Sequence, residues 1–192
     1  MIKKNIDEYV RNQAAVLLQS PIGELENLCR MLLLAREDGK SVFIAGNGGS
    51  AATASHFVND LVKGLSLPGK KRFKAFSLCD QVAVITALAN DYSYDRIFSE
   101  QLMNYAGKGD LLLVISGSGN SRNILEAVQY ATSIGMVTVA MTGQSGGAVG
   151  TMCDLVLRAG TDCMEQIEDI HLMWEHAVIC ALKYEISREG EQ

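Results

Sequence analysis

Apolar positions along the chain follow two different patterns. Over residues 2–18 and 22–38 they recur at helical spacing, with Leu25, Leu28, Leu32 and Leu33 in the second segment, and the two segments part at Ser20-Pro21. That spacing predicts two amphipathic helices. From residue 41 the pattern changes. The short apolar runs "SVFIAG" (41–46), "DLLLVIS" (110–116), "MVTVAMTG" (136–143) and "DLVLRAG" (154–160), with "RFKAFSL" (72–78), each read as a strand. Helical stretches lie between them: from about Ala51 to Gly64, then "QVAVITALAND" (81–91), "DRIFSEQLMNYA" (95–106) and "SRNILEAVQYATSIG" (121–135). A short "GGAVGTMC" (146–153) and a long helix over 163–187 complete the set.

Strand–loop–helix units repeated in this way predict an α/β fold, a three-layer sandwich with a mostly parallel sheet and helices on both faces, of flavodoxin-like kind. No linker or low-complexity segment interrupts the chain, so residues 1–192 read as a single domain. The N-terminal helices, within residues 1–39, stand outside the strand–helix repeat. They suit either a contact between subunits or packing onto the sheet.

Composition narrows the class. The chain is 48% hydrophobic and 20% charged, which is a folded globular make-up. Its net charge of −5 argues against a nucleic-acid partner, yet leaves room for a small anion, which needs only a few local donors. The opening "MIKKNIDEYV" has charge but no apolar stretch behind it, and no apolar run is long enough to span a membrane. Five cysteines, at 29, 79, 153, 163 and 180, show no paired spacing, so reduced, buried thiols in a cytoplasmic protein are expected.

Two loops carry the first chemical signal. "FIAGNGGSAA" (43–52) and "VISGSGNSRN" (114–123) both run from a strand through small polar residues into a helix. A helix N-terminus has unsatisfied N–H groups and a partial positive charge, glycines admit a ligand close to the backbone, and serine hydroxyls add neutral donors. That combination fits a phosphate monoester at the carboxyl ends of parallel strands. The same residue types also make ordinary turns and caps. No P-loop motif is present; Gly46 to Ala51 does match G-x-G-x-x-A, with Asp80 beyond the next strand, but a dinucleotide reading leaves the serine loop unexplained.

The serine loop contains no group able to move a proton. Titratable candidates lie elsewhere. His56 and Asp60 stand at i, i+4 and share a helical face. "MEQIEDIHLMWEHA" holds Glu165, Glu168, Asp169, His171, Glu175 and His176, among which Asp169/His176 and His171/Glu175 share faces. Spacing alone does not choose between these pairs, and His171 also suits plain packing. About 12 Å of helix separates Glu168 from His176, so one compact metal site holding both would need the helix to start late or bend.

With these residues in view, the chain resembles the sugar isomerase (SIS) domain family, and within it the phosphoheptose isomerase group. The matching pieces are "GNGGSAATASHF", "ANDYSYDRIFSEQL", "GDLLLVISGSGNSRNI", "MTGQSGG" and "QIEDIHLMWEH", in that order over about residues 40–180. The resemblance implies an SIS-type fold. It also implies that Ser116, Ser118 and Ser121, with Ser50, hold a sugar phosphate, while Asn47, Gly48, Gly49, Asn90 and Asp91 line the sugar. The catalytic carboxylate and histidine of the family fall at Asp60 and His176. Its metal-linked positions, zinc in some members, fall at His56, Asp60, Glu168 and His176, and no organic cofactor is implied. The implied reaction is aldose–ketose isomerisation through an enediol, by analogy of sedoheptulose 7-phosphate to D-glycero-D-manno-heptose 7-phosphate. The implied assembly is a homotetramer whose sites are completed by neighbouring chains.

Two positions depart from the family pattern. Asp60 replaces the usual Glu and is one methylene shorter; Glu168 replaces the usual Gln and adds a negative charge. Together they imply a different sugar, a tighter metal site, or a base role moved to Glu168. His176 is retained, unlike in the non-catalytic relatives that regulate replication initiation. The contrasting reading is a sugar-phosphate sensor or protein-assembly adaptor, which would bind its ligand without exchanging the hydrogens on C1 or C2.

Overall fold

The computed structural model describes residues 1–190. Five parallel strands form one sheet in the order β2-β1-β3-β4-β5: β1 Ser41–Gly46, β2 Lys74–Ser77, β3 Leu111–Ser116, β4 Val137–Thr142 and β5 Leu155–Arg158. This is the flavodoxin-like order, so the expected three-layer fold is the observed one. Among the described residues the α-helices are α1 Ile2–Leu17, α2 Ile22–Glu37, α3 Gly49–Asn59, α4 Val82–Asp91, α5 Ser99–Tyr105, α6 Arg122–Ser133 and α7 Met164–Ser187.

Both faces of the sheet are covered, which explains why the central strands are apolar without alternation. In β3, Leu111, Leu113 and Ile115 enter the core with α2, α3 and α7, while Leu112 and Val114 enter the opposite core with α5 and α6. The register pairs Gly46 with Ile115 and Ser116 with Thr142, so β1, β3 and β4 end at nearly one level. The loops that follow them therefore meet along a single edge. That edge carries the site.

The structure refines several expected boundaries. The helix after β1 starts at Gly49 and changes at Asp60 into a π-helical segment, Asp60–Gly64, closed by the Leu65 N–H to the Asp60 carbonyl at 3.0 Å. Such segments widen a helix and are frequent at functional sites. Residues 95–106 divide into a 3₁₀ turn at Tyr94–Arg96 and α5, and 146–153 contains only a single 3₁₀ turn, Val149–Thr151. The N-terminal helices also differ from each other. α2 buries Leu25, Leu28, Leu32 and Ala35, with Leu33 only half-buried, whereas α1 buries no residue and exposes Ile2, Ile6 and Val10. Among the described residues, no helix is long and apolar enough to cross a membrane, and all five cysteines are free. None of the thiols is buried as expected: Cys29, Cys79 and Cys153 are half-buried, and Cys163 and Cys180 are exposed on or beside α7.

Candidate active site

The two small-residue loops lie side by side, after β1 and β3. Gly48 is the N-cap of α3 at φ 55° and ψ −122°, a conformation that side chains rarely adopt. In the serine loop, the Gly119 N–H donates to the Ser116 hydroxyl at 3.2 Å and the Asn120 N–H to the Ser118 hydroxyl at 3.2 Å. Ser121 is the N-cap of α6, yet its hydroxyl makes no cap hydrogen bond. Ser50 is buried in the first turn of α3. The arrangement supplies hydroxyls and backbone N–H groups at two helix N-termini, which is an anion-binding layout.

Two residues that the motifs did not single out, Asn123 and Tyr94, join the loops through Asn47. Asn47 and Asn123 bond each other through their side-chain amides at 2.8 and 2.9 Å, and the Tyr94 hydroxyl donates to Asn47 Oδ1 at 2.9 Å. Asn123 is buried, so this amide pair fixes the spacing of the β1 and β3 loops. Its signal was a polar residue inside an apolar helical face, at the second position after Ser121 in "SRNILEAV". Asn90 and Asp91 lie at the end of α4, where they bond each other at 2.8 Å and are exposed. Asp80 is held by the Ser55 hydroxyl, which engages the carboxylate that the dinucleotide reading needed for a ribose.

The titratable groups gather where α3 meets α7. His56, Asp60, Glu175 and His176 each offer a ligand atom, and these atoms all lie within 4.8 Å of one another. The His56 and His176 rings meet edge to face with centroids 4.9 Å apart; His56 Nε2 is 3.8 Å from Asp60, and His176 Nε2 is 3.7 Å from Glu175. Both imidazoles and Asp60 reach solvent, but Glu175 is fully buried and neither of its carboxylate oxygens has a hydrogen-bond partner. Burial, reinforced by the neighbouring Asp60 charge, pushes the Glu175 carboxyl up to about 8. Two imidazoles and two carboxylates suit zinc or a comparable divalent cation, and a cation would satisfy the unpartnered Glu175 oxygens. The donor set fits.

Glu168 is elsewhere. Its carboxylate stands over Gly49, so close that a Cβ at Gly49 would lie 2.4 Å from Oε2. The structure thus brings together His56, Asp60 and His176 from the predicted metal set, with Glu175 beside them in place of Glu168. The expected length of helix between Glu168 and His176 is the reason, because α7 runs unbroken through both. Glu165 and Asp169 lie outside this group, nearer the start of α7: Asp169 accepts the Tyr9 hydroxyl at 2.7 Å, which helps push that phenol up to about 12.

Comparison with known proteins agrees with this architecture. The SIS domain family matches residues 8–143. A phosphoheptose isomerase of Campylobacter concisus is 38% identical over 161 residues, covering 84% of this chain and 85% of that protein. A probable phosphoheptose isomerase of Thermoplasma acidophilum is 37% identical over 180 residues, covering 94% and 96%. Among solved structures, a phosphoheptose isomerase from Francisella tularensis superposes with a TM-score of 0.90 at 29% identity, over 96% of this chain and 99% of that one. One from Neisseria gonorrhoeae gives 0.89 at 26% identity, over 96% and 100%. The chain therefore belongs to the SIS domain family, within its phosphoheptose isomerase group, and is an isomerase enzyme.

Proposed function

We propose that the chain interconverts sedoheptulose 7-phosphate and D-glycero-D-manno-heptose 7-phosphate. Ser50, Ser116, Ser118 and Ser121 hold the phosphate, and Asn47, Gly48, Gly49, Asn90 and Asp91 line the sugar. The observation that carries the reading is the division of the site: neutral donors at two helix N-termini on one side, and carboxylates with imidazoles where α3 meets α7 on the other. An isomerisation through an enediol needs both parts. Phosphate binding, remote from the reacting carbons, positions C1 and C2. A carboxylate then removes the carbon-bound proton and an imidazole moves the proton between O1 and O2, each worth roughly 10²–10⁴-fold.

His176 takes the oxygen-bound proton and Asp60 the carbon-bound one. A second reading gives the carbon-bound proton to Glu168, and its position over Gly49, at the sugar loop, favours it. His56, Asp60, Glu175 and His176 would hold a divalent cation, which would polarise a substrate oxygen as a Lewis acid. With Asp60 engaged as a ligand, Glu168 is the carboxylate left free at the sugar. The assembly is a homotetramer, and the exposed Ile2, Ile6 and Val10 of α1 suit a contact between copies. Comparing Asp60→Asn with Glu168→Gln on sedoheptulose 7-phosphate identifies the base: the variant that loses turnover while still binding substrate is the one that carried it. Equal, wild-type turnover in both would refute both assignments.

A further inference from the structure

One titratable group in α7 takes no part in the proposed chemistry. His171 is 1% exposed, and its Nε2–H donates to the Thr142 carbonyl at 3.1 Å, at the very end of β4. Its Nδ1 is buried without a partner. Burial holds the imidazole down at about 4, partly offset by the Thr142 bond, so the ring is neutral at ordinary pH. A buried neutral histidine with one bond used and one nitrogen unsatisfied is an expensive way to fill space.

Its neighbours show what that bond fixes. The first two turns of α7 rest directly on glycines of the three loops that follow β1, β3 and β4. A Cβ at Gly117, in the serine loop, would lie 2.6 Å from Met164 Sδ. At Gly143, after β4, it would lie 2.7 Å from Ile167 Cδ1 and 2.7 Å from the Gly117 carbonyl. At Gly49 it would meet the Glu168 carboxylate. The loops are also bonded to one another and to the approach to α7: the Gly143 N–H donates to the Gly117 carbonyl at 2.9 Å, and the Gln144 N–H to the Thr161 carbonyl at 3.2 Å. A Cβ at Gly117 would displace the tip of Met164, and one at Gly143 would displace the tip of Ile167 and meet the Gly117 carbonyl, so these glycines let the α7 side chains rest on the loop backbone. The helix carrying Glu168 and His176 is therefore seated, without a gap, on the loop that carries the serines.

We propose that His171 is a positioning residue. Its bond to the Thr142 carbonyl locks α7 against the Gly117 and Gly143 loops and so sets the spacing between the serine loop and the proton-transfer groups. It touches no substrate. The catalytic consequence rests on the isomerase reading above; the mechanical one does not. A small misplacement of reacting groups is enough to cost turnover heavily, whereas the serine loop keeps its own hydroxyls and N–H groups.

The test compares His171→Leu, which removes the donor, with His171→Gln, whose amide can restore a donor near Nε2. Turnover of sedoheptulose 7-phosphate and amide hydrogen exchange are measured on each. H171L is expected to lower kcat by about tenfold or more with KM within about threefold of wild type, and to speed exchange at the Gly143 and Gly119 amides while Leu113 in β3 stays protected. H171Q is expected to recover most of both. Wild-type kcat and exchange in H171L would overturn the proposal, as would equal damage in H171L and H171Q, or a uniform loss of protection across the sheet. Should H171L fail to fold, H171Q decides alone: near-wild-type kcat and exchange support the proposal, and a tenfold loss of kcat overturns it. If the wild type itself turns over no heptose phosphate, the isomerase reading fails, and the exchange data still judge the lock.

Discussion

The serine loop and the junction of α3 with α7 are built from opposite materials. From Ser116 to Ser121 there is no carboxylate, imidazole or amine, only hydroxyls, one amide and backbone N–H groups. At the junction, four titratable side chains crowd within 4.8 Å, one of them a fully buried carboxyl. A neutral cradle binds a dianion without being disturbed by pH near neutrality, while a crowded set of acids and imidazoles is where protons can be passed or a cation held. The difference teaches that grip and chemistry are separate here, and that α7, which touches both, decides how they are spaced.

Several substitutions should break one region and spare the other. The largest effect is expected from His176→Ala, which should lower kcat by roughly 10²–10⁴-fold while the protein still binds sugar phosphate, read by steady-state kinetics beside calorimetry. The mirror experiment is Ser118→Ala with Ser121→Ala. Each lost hydrogen bond to a charged phosphate is worth about 1.5–3 kcal/mol, so KM and Kd should rise by more than tenfold with the pH profile of kcat unmoved. A pH profile that shifts in the serine variant would show that the two regions are not separate.

The junction can be probed through its metal affinity. Chelator-treated protein titrated with ZnCl2 should gain thermal stability and bind one ion per chain by elemental analysis. Glu175→Gln should weaken that binding by about tenfold or more, and Glu168→Gln should leave it near wild type. The reverse ranking would return the ligand role to Glu168.

A smaller effect marks the seam between the regions. His171 sits at about 4 in the folded chain against an ordinary 6.5. The unfolded state therefore takes up a proton between these values that the folded state refuses, so stability should fall as pH drops from about 6.5 towards 4. The full loss is on the order of 3 kcal/mol, about 1.4 kcal/mol per pH unit. Urea unfolding of H171Q across that range should lack this contribution.

Much of this was legible in the chain itself. The five apolar runs fixed the strands because each is short, continuous and bounded by loops, and a covered parallel sheet leaves no other pattern. The serine and glycine loops were equally visible, since their residue types sit at strand ends. What the spacing could not give was the partner of His176. Glu175 looks like one charge in a solvated run, and only the packing of α3 against α7 turns its face inward. Asn123 and Tyr94 were missed because each bonds across elements far apart in sequence. The contrast between α1 and α2 was hidden for a related reason: both are amphipathic, and helical period alone does not say which stripe meets the sheet.

The most direct test of the central claim is isomerisation of sedoheptulose 7-phosphate in D₂O, followed by proton and phosphorus NMR. Conversion to an aldoheptose 7-phosphate carrying deuterium at C2 is expected, lost in H176A and retained, at weakened affinity, in the Ser118/Ser121 double variant. Saturable binding of the sugar phosphate with no conversion and no deuterium in any carbon position would contradict it, and would make the protein a binder whose junction residues serve some other purpose.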